Sequence, residues 1–142
     1  MPTSKASAVW EGGLRTGKGN YSAGSGAFTG GYSFPTRFEG AAGTNPEELI
    51  AAAHAACFSM ALSGGLERGG TPATRVETTA RCTIEKVGEG FKITRMELAV
   101  RGEVPGLTQQ RFAEAAAQAK DGCPVSGALK GNVEVTLDAK LE

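Results

Sequence analysis

From Leu49 to Leu62 the chain is apolar at almost every position, broken only by His54, Cys57 and Ser59. A helix start is signalled just upstream. Asn45 stands where an N-cap belongs, Pro46 suits the first helical position, and Glu48 lies three residues beyond the cap, close to a capping box. A surface helix keeps one polar stripe for solvent; this segment has none, so it is expected to be buried all round. One sheet covers only one side of a helix. In a chain of 142 residues the other side needs a second sheet or a second copy of the protein, and the second copy, a homodimer with its helices buried between protomers, is the favoured expectation.

Around this helix the pattern alternates between strand and helix periods. Ala6, Ala8 and Trp10 alternate as a first strand, Glu11-Gly12-Gly13 turns the chain, and short strands follow from Lys18 to Phe28 as a β-meander. Gly64, Gly65, Gly69 and Gly70 are expected to end the long helix. Val76, Ala80, Cys82 and Ile84 then mark a half-buried strand, and Gly88-Glu89-Gly90 leads into a second strand from Phe91 to about Arg101. Its apolar parity shifts between Ile93 and Met96, which predicts a bulge near Thr94. Thr108 to Lys120 has one apolar face, with Phe112, Ala115, Ala116 and Ala119, and Gly122 is a natural stop. Cys123-Pro124 opens a short third helix, and Val133 to Leu141 alternate as a closing strand. These elements predict one domain over residues 1–142, of α+β class.

Bulk properties exclude several partners. Fifteen basic and 15 acidic residues, evenly scattered, leave no footprint for nucleic acid or an anionic membrane. Met1 to Trp10 lacks an apolar signal core and no stretch approaches a bilayer-spanning length, so a cytoplasmic location is expected. Neither a Cys-x-x-Cys nor a His pair at ligand spacing is present, so no metal and no cofactor is expected.

In such a chain, few cysteines mean thiol chemistry more readily than a disulfide framework. Cys123 stands at a helix N-terminus, where backbone N–H groups favour a thiolate. Cys57 lies roughly three turns inside its helix and has no such help; as a nucleophile it needs a cation from elsewhere, and otherwise burial keeps it neutral. Cys82, on the inward face of its strand, reads as packing. His54 precedes Cys57 by one turn, so an imidazole–thiolate pair is geometrically open, though no carboxylate is seen to orient it. Glu47 and Glu48 read by position as first-turn acids that complement the helix dipole.

Thr36-Arg37-Phe38-Glu39-Gly40, Gly43-Thr44-Asn45-Pro46-Glu47-Glu48-Leu49-Ile50, His54-Ala55-Ala56-Cys57-Phe58-Ser59-Met60-Ala61-Leu62 and Ala119-Lys120-Asp121-Gly122-Cys123-Pro124-Val125-Ser126 together resemble the OsmC/Ohr family of osmotically inducible and organic hydroperoxide resistance proteins, closer to the OsmC branch. The resemblance runs essentially end to end. It implies an intertwined homodimer, with antiparallel sheets wrapped around buried central helices. It also implies a thiol-dependent peroxidase of stress defence that reduces organic hydroperoxides, and hydrogen peroxide less well. Cys57 would be the peroxidatic thiol and Cys123 the resolving one. Arg37 would stabilise the thiolate and the transition state, with Glu47 orienting it through a bidentate salt bridge. A dithiol of the dihydrolipoamide type would recycle the disulfide.

Helix-terminus physics alone selects Cys123 as the more acidic thiol, whereas the resemblance assigns first attack to Cys57. The two agree if resolution also uses an ionised thiol. Glu47 and Cys57 stand ten positions apart, about 15 Å along a helix axis. Unless the helix breaks, Glu47 of one chain is therefore expected to serve Cys57 of the other. A redox sensor or binder of apolar ligands, and a protein disulfide exchanger, are the competing functions.

Overall fold

A computed structural model describes residues 1–142, which divide into two compact units, Met1–Leu49 and Ile50–Glu142. In the first, β1 (Ala6–Glu11), β2 (Lys18–Ala23) and β3 (Thr29–Tyr32) form the antiparallel meander expected from the alternation. Tyr32 bridges Trp10 and Tyr21, with ring centroids 5.5 and 6.0 Å away. A Cβ on Gly19 would strike the Trp10 and Tyr32 rings, so glycine is what lets the aromatics close over the sheet. None of the large apolar side chains buried in this chain comes from this unit, and Val9, Leu14 and Phe28 are all more than half exposed.

A short helix, α1 (Phe34–Phe38), was not anticipated. Ser33 caps it: its hydroxyl accepts from the Thr36 N–H and its own N–H donates to Thr36 Oγ1 at 2.9 Å, a capping box with Thr in place of the usual acid or amide.

The long helix, α2 (Pro46–Arg68), starts where expected, with Asn45 Oδ1 accepting from the Glu48 N–H at 2.8 Å. It does not end at Gly64 and Gly65. Each glycine costs about 1 kcal/mol relative to alanine, but Leu62 and Leu66 on either side are buried in the core and carry the helix across. Its end is a Schellman motif: Gly70 takes a φ of 86°, its N–H bonds Glu67 O, and the Thr71 N–H bonds Leu66 O. At 23 residues α2 is long and apolar enough, by length and composition, to cross a membrane. The expectation that no stretch reaches that length is corrected, because the helix continues past Leu62.

The second unit carries the core. β4 (Arg75–Val87), β5 (Gly90–Glu103) and β6 (Glu134–Leu141) form one sheet in that order. Thr83 pairs with Arg95 and Ile84 with Ile93, which leaves Thr94 as the extra residue of the expected bulge. β6 runs parallel to β5, so this sheet is mixed rather than wholly antiparallel. The reason is the connection: α3 (Gln109–Gly122) and α4 (Pro124–Leu129) carry the chain back across the sheet before β6 begins.

Along α2, Phe58, Leu62 and Leu66 recur every four residues and join Met96, Leu98 and Phe112 in the core. The opposite face is open in the single chain: Ala52, Ala53 and Ala56 are exposed and Met60 is 77% exposed. Burial all round is therefore not achieved within one chain. Cys82 packs at the edge of the core, as its strand position indicated.

Gly102 on β5 lets α3 approach closely, since a Cβ there would run into the fully buried Phe112 ring. Gly102→Ala is expected to destabilise the fold by about 1–3 kcal/mol through overpacking. Urea denaturation, with an unchanged m-value, measures it.

Candidate active site

Cys123 performs two local tasks. Its N–H bonds Ala119 O at 2.9 Å to close α3, and its carbonyl accepts from Gly127 N–H at 3.0 Å to open α4. Pro124 enforces the break, because its ring disfavours helical backbone in the residue before it while suiting the first position of a new helix. The sulfur thus sits at the junction, facing α2. Cys57 Sγ lies 2.9 Å away, and both cysteines are reduced. A disulfide would require the sulfurs to close by roughly 1 Å.

The two thiols differ in acidity. Burial pushes Cys57 up, the thiol–thiol hydrogen bond with Cys123 pushes it further, and the Val125 N–H offsets only part. Burial also pushes Cys123 up. Against that act the bond from Cys57, the N–H groups of Ser126 and Val125 and the Ser126 hydroxyl, and together they bring it below its ordinary value. Cys123 makes no side-chain cap bond of regular geometry, so these N–H groups act as converging partial charges. At 2.9 Å either thiol can donate. The donors around Cys123 make it the more acidic thiol of the pair and leave Cys57 the less acidic. No cation figures among the influences on Cys57.

His54 is fully buried, and its bond runs to Ser126 rather than to Cys57: Nε2 and Ser126 Oγ are 2.7 Å apart. Burial holds the imidazole below its usual pKa and hence neutral. Ser126 escaped the sequence reading. Its only signal was the spacing Cys-Pro-Val-Ser, which places it three residues beyond a helix cap.

Arg37 and Glu47 form a second pair, in the first unit. Arg37 Nε and Nη2 both donate to Glu47 Oε1, at 3.0 and 2.7 Å. The salt bridge is a two-donor fork onto one oxygen, and Oε2 is buried without a partner. Glu47 is 4% exposed, so the carboxylate is the fixed element and the guanidinium the more accessible one. Arg37 also lies over the Phe38 ring, 5.2 Å from its centroid. Asn45 ties α1 to the start of α2 by donating from Nδ2 to Thr36 O at 3.3 Å.

The model of the family described as OsmC-like protein matches residues 39–138. The chain belongs to the OsmC-like family. It is 50% identical over 139 residues to peroxiredoxin OsmC of Escherichia coli K12, covering 97% of this chain and 96% of that protein. The organic hydroperoxide resistance protein OhrB of Bacillus subtilis is 36% identical over 103 residues, 72% of this chain and 74% of OhrB. The OsmC-like fold extends over the whole chain. The crystal structure of an organic hydroperoxide resistance protein from Elizabethkingia anophelis superposes with a TM-score of 0.83 at 28% identity, covering 100% of this chain and 98% of that one.

Because His54 is held neutral in the folded state and titrates near 6.5 when unfolded, the unfolded chain binds more protons below that value. The stability that His54 confers is complete above about pH 6.5 and is lost as pH falls toward its lower folded value. Thermal melts between about pH 7.5 and 5.5 should show Tm falling with pH, and His54→Gln should flatten that slope.

Proposed function

We propose that this chain is a cysteine-based peroxidase that reduces organic hydroperoxides to alcohols, and hydrogen peroxide less well, as a cytoplasmic single-domain stress-defence enzyme. The observation that carries the reading is the 2.9 Å separation of the Cys57 and Cys123 sulfurs. The printed names of its relatives, peroxiredoxin OsmC and organic hydroperoxide resistance protein OhrB, support it.

The Cys57 thiolate attacks the distal peroxide oxygen. An S–O bond forms, the O–O bond breaks, and the departing alkoxide takes a proton to leave as the alcohol. Cys57 is then a sulfenic acid. The Cys123 thiolate attacks its sulfur, the S–S bond forms, and hydroxide departs to be protonated to water. An external dithiol of the dihydrolipoamide type reduces the disulfide by exchange and is itself oxidised to a disulfide.

Cys123 is the more acidic thiol and burial disfavours ionisation of Cys57, so peroxide attack requires a cation that favours the thiolate at Cys57. Arg37 takes that role, favouring the thiolate and the developing alkoxide, and Glu47 holds its guanidinium in place. α2 is unbroken from Pro46–Arg68, which keeps Glu47 and Cys57 about 15 Å apart along its axis. Glu47 and Arg37 of one protomer therefore serve Cys57 of the partner in a homodimer. The open α2 face with Met60, and a first unit without a buried apolar core, are the surfaces a second copy would cover.

With cumene hydroperoxide and dithiothreitol, the protein should consume many equivalents; arrest after one would favour a redox sensor instead. Cys57→Ser should lower turnover by at least about 100-fold, while Cys123→Ser should accumulate a dimedone-reactive Cys57. Heterodimers purified from Glu47→Ala and Cys57→Ser chains should show about half the wild-type activity, because one complete site forms across the two chains. Their inactivity would place Glu47 and Cys57 of one site on the same chain.

A further inference from the structure

His54 and Ser126 have no part in the scheme above, yet both are buried and they are bonded to each other at 2.7 Å, from α2 to α4. The one-turn spacing of His54 and Cys57 invites pairing with the attacking thiol. Folding directs the imidazole to the other thiol's neighbour.

The proton positions follow from what surrounds the ring. Nδ1 is buried with no partner. A bare buried lone pair is tolerated better than a bare buried N–H, so the neutral ring carries its proton on Nε2. Nε2 then donates, and Ser126 Oγ accepts. A serine hydroxyl has one proton of its own, which is left free to donate. Cys123 and Ser126 are the cap and the third residue of α4, positions whose side chains and N–H groups face one another. The sulfur of Cys123 is the acceptor within reach, and the Ser126 hydroxyl does favour its thiolate.

We propose that His54 and Ser126 form a directed hydrogen-bond chain, Nε2–H to Oγ–H to Sγ, that orients and stabilises the Cys123 thiolate for the resolving step. His54 and Ser126 are positioning residues acting on Cys123, and the inference deepens the peroxidase reading and rests on it for the meaning of resolution. His54 fixes which way the hydroxyl points; without its N–H, the serine proton is free to turn away from sulfur. The other groups acting on Cys123 are Cys57 from α2 and the Val125 and Ser126 N–H groups of α4. Lys120 and Asp121 of α3 and Lys130 beyond α4 line the cleft that Ser126 borders, and none of them figures among the influences on Cys123.

The test reads Cys123 without peroxide. In Cys57→Ser protein, the pH midpoint of Cys123 alkylation by iodoacetamide is compared with and without a second change. Ser126→Ala and His54→Leu should each raise that midpoint by about one unit, a ten-fold loss of thiolate below it. Ser126→Thr keeps the hydroxyl and His54→Gln keeps an Nε donor, so both should restore most of the shift. In chains with both cysteines, Ser126→Ala should prolong the dimedone-reactive Cys57 sulfenate about ten-fold. An unmoved midpoint in natively melting Ser126→Ala overturns the proposal, and so does equal behaviour of Ser126→Ala and Ser126→Thr. A shifted midpoint in a protein that consumes no peroxide would uphold the chain of bonds and remove the peroxidase reading.

Discussion

The packing of one face of α2 onto the β4–β5–β6 sheet is the contact on which the rest of the second unit depends. Phe58, Leu62 and Leu66 form a stripe buried among Met96, Leu98 and Phe112, and this sets the rotation of the helix about its axis. Cys57 precedes Phe58, so fixing Phe58 in the core places its sulfur at the rim of the buried face, toward the α3–α4 junction. The same stripe holds α2 helical across Gly64 and Gly65, where local propensity would end it. Burial of a few large side chains thus decides both the length of the helix and where its reactive residue points.

That placement creates a pair of thiols with opposite electrostatic surroundings. Cys57, inside a helix, meets satisfied backbone groups and apolar neighbours, and its proton is held more tightly than usual. Cys123, at a helix start, meets N–H groups left without an intrahelical partner, and its proton is held less tightly. In the proposed two-cysteine cycle, a pair so arranged favours the second half and needs an added positive charge for the first. Arg37 is anchored through one carboxylate oxygen of the buried Glu47, and under the proposed function it is the cation assigned that task.

Much of this was legible in the residues. The Asn45 cap, the Thr94 bulge and the Cys123-Pro124 junction are local events, specified by side chains within a few positions of each other. The alternating strands were visible for the same reason. What escaped was of two kinds. The α1 capping box was hidden because Thr36 stands where an acid or amide is the usual signal, and the continuation of α2 past Gly64 depended on burial of Leu66. The parallel pairing of β6 was invisible because strand direction is set by where the α3–α4 connection delivers the chain, not by the strand's own residues.

The candidate site divides along the same line. Sequence by itself determined the difference between a terminal and an interior cysteine, and that an interior Cys57 would need an imported charge to ionise, because helix position and ionisation are local properties. Only the tertiary structure decided the partners. It brought Cys57 within 2.9 Å of Cys123, put both Arg37 donors on one Glu47 oxygen, and turned His54 toward Ser126. Cys57–Cys123 and His54–Ser126 are 66 and 72 residues apart in the chain. Pairings over such distances come from the packing of whole elements, which no local pattern of side chains records.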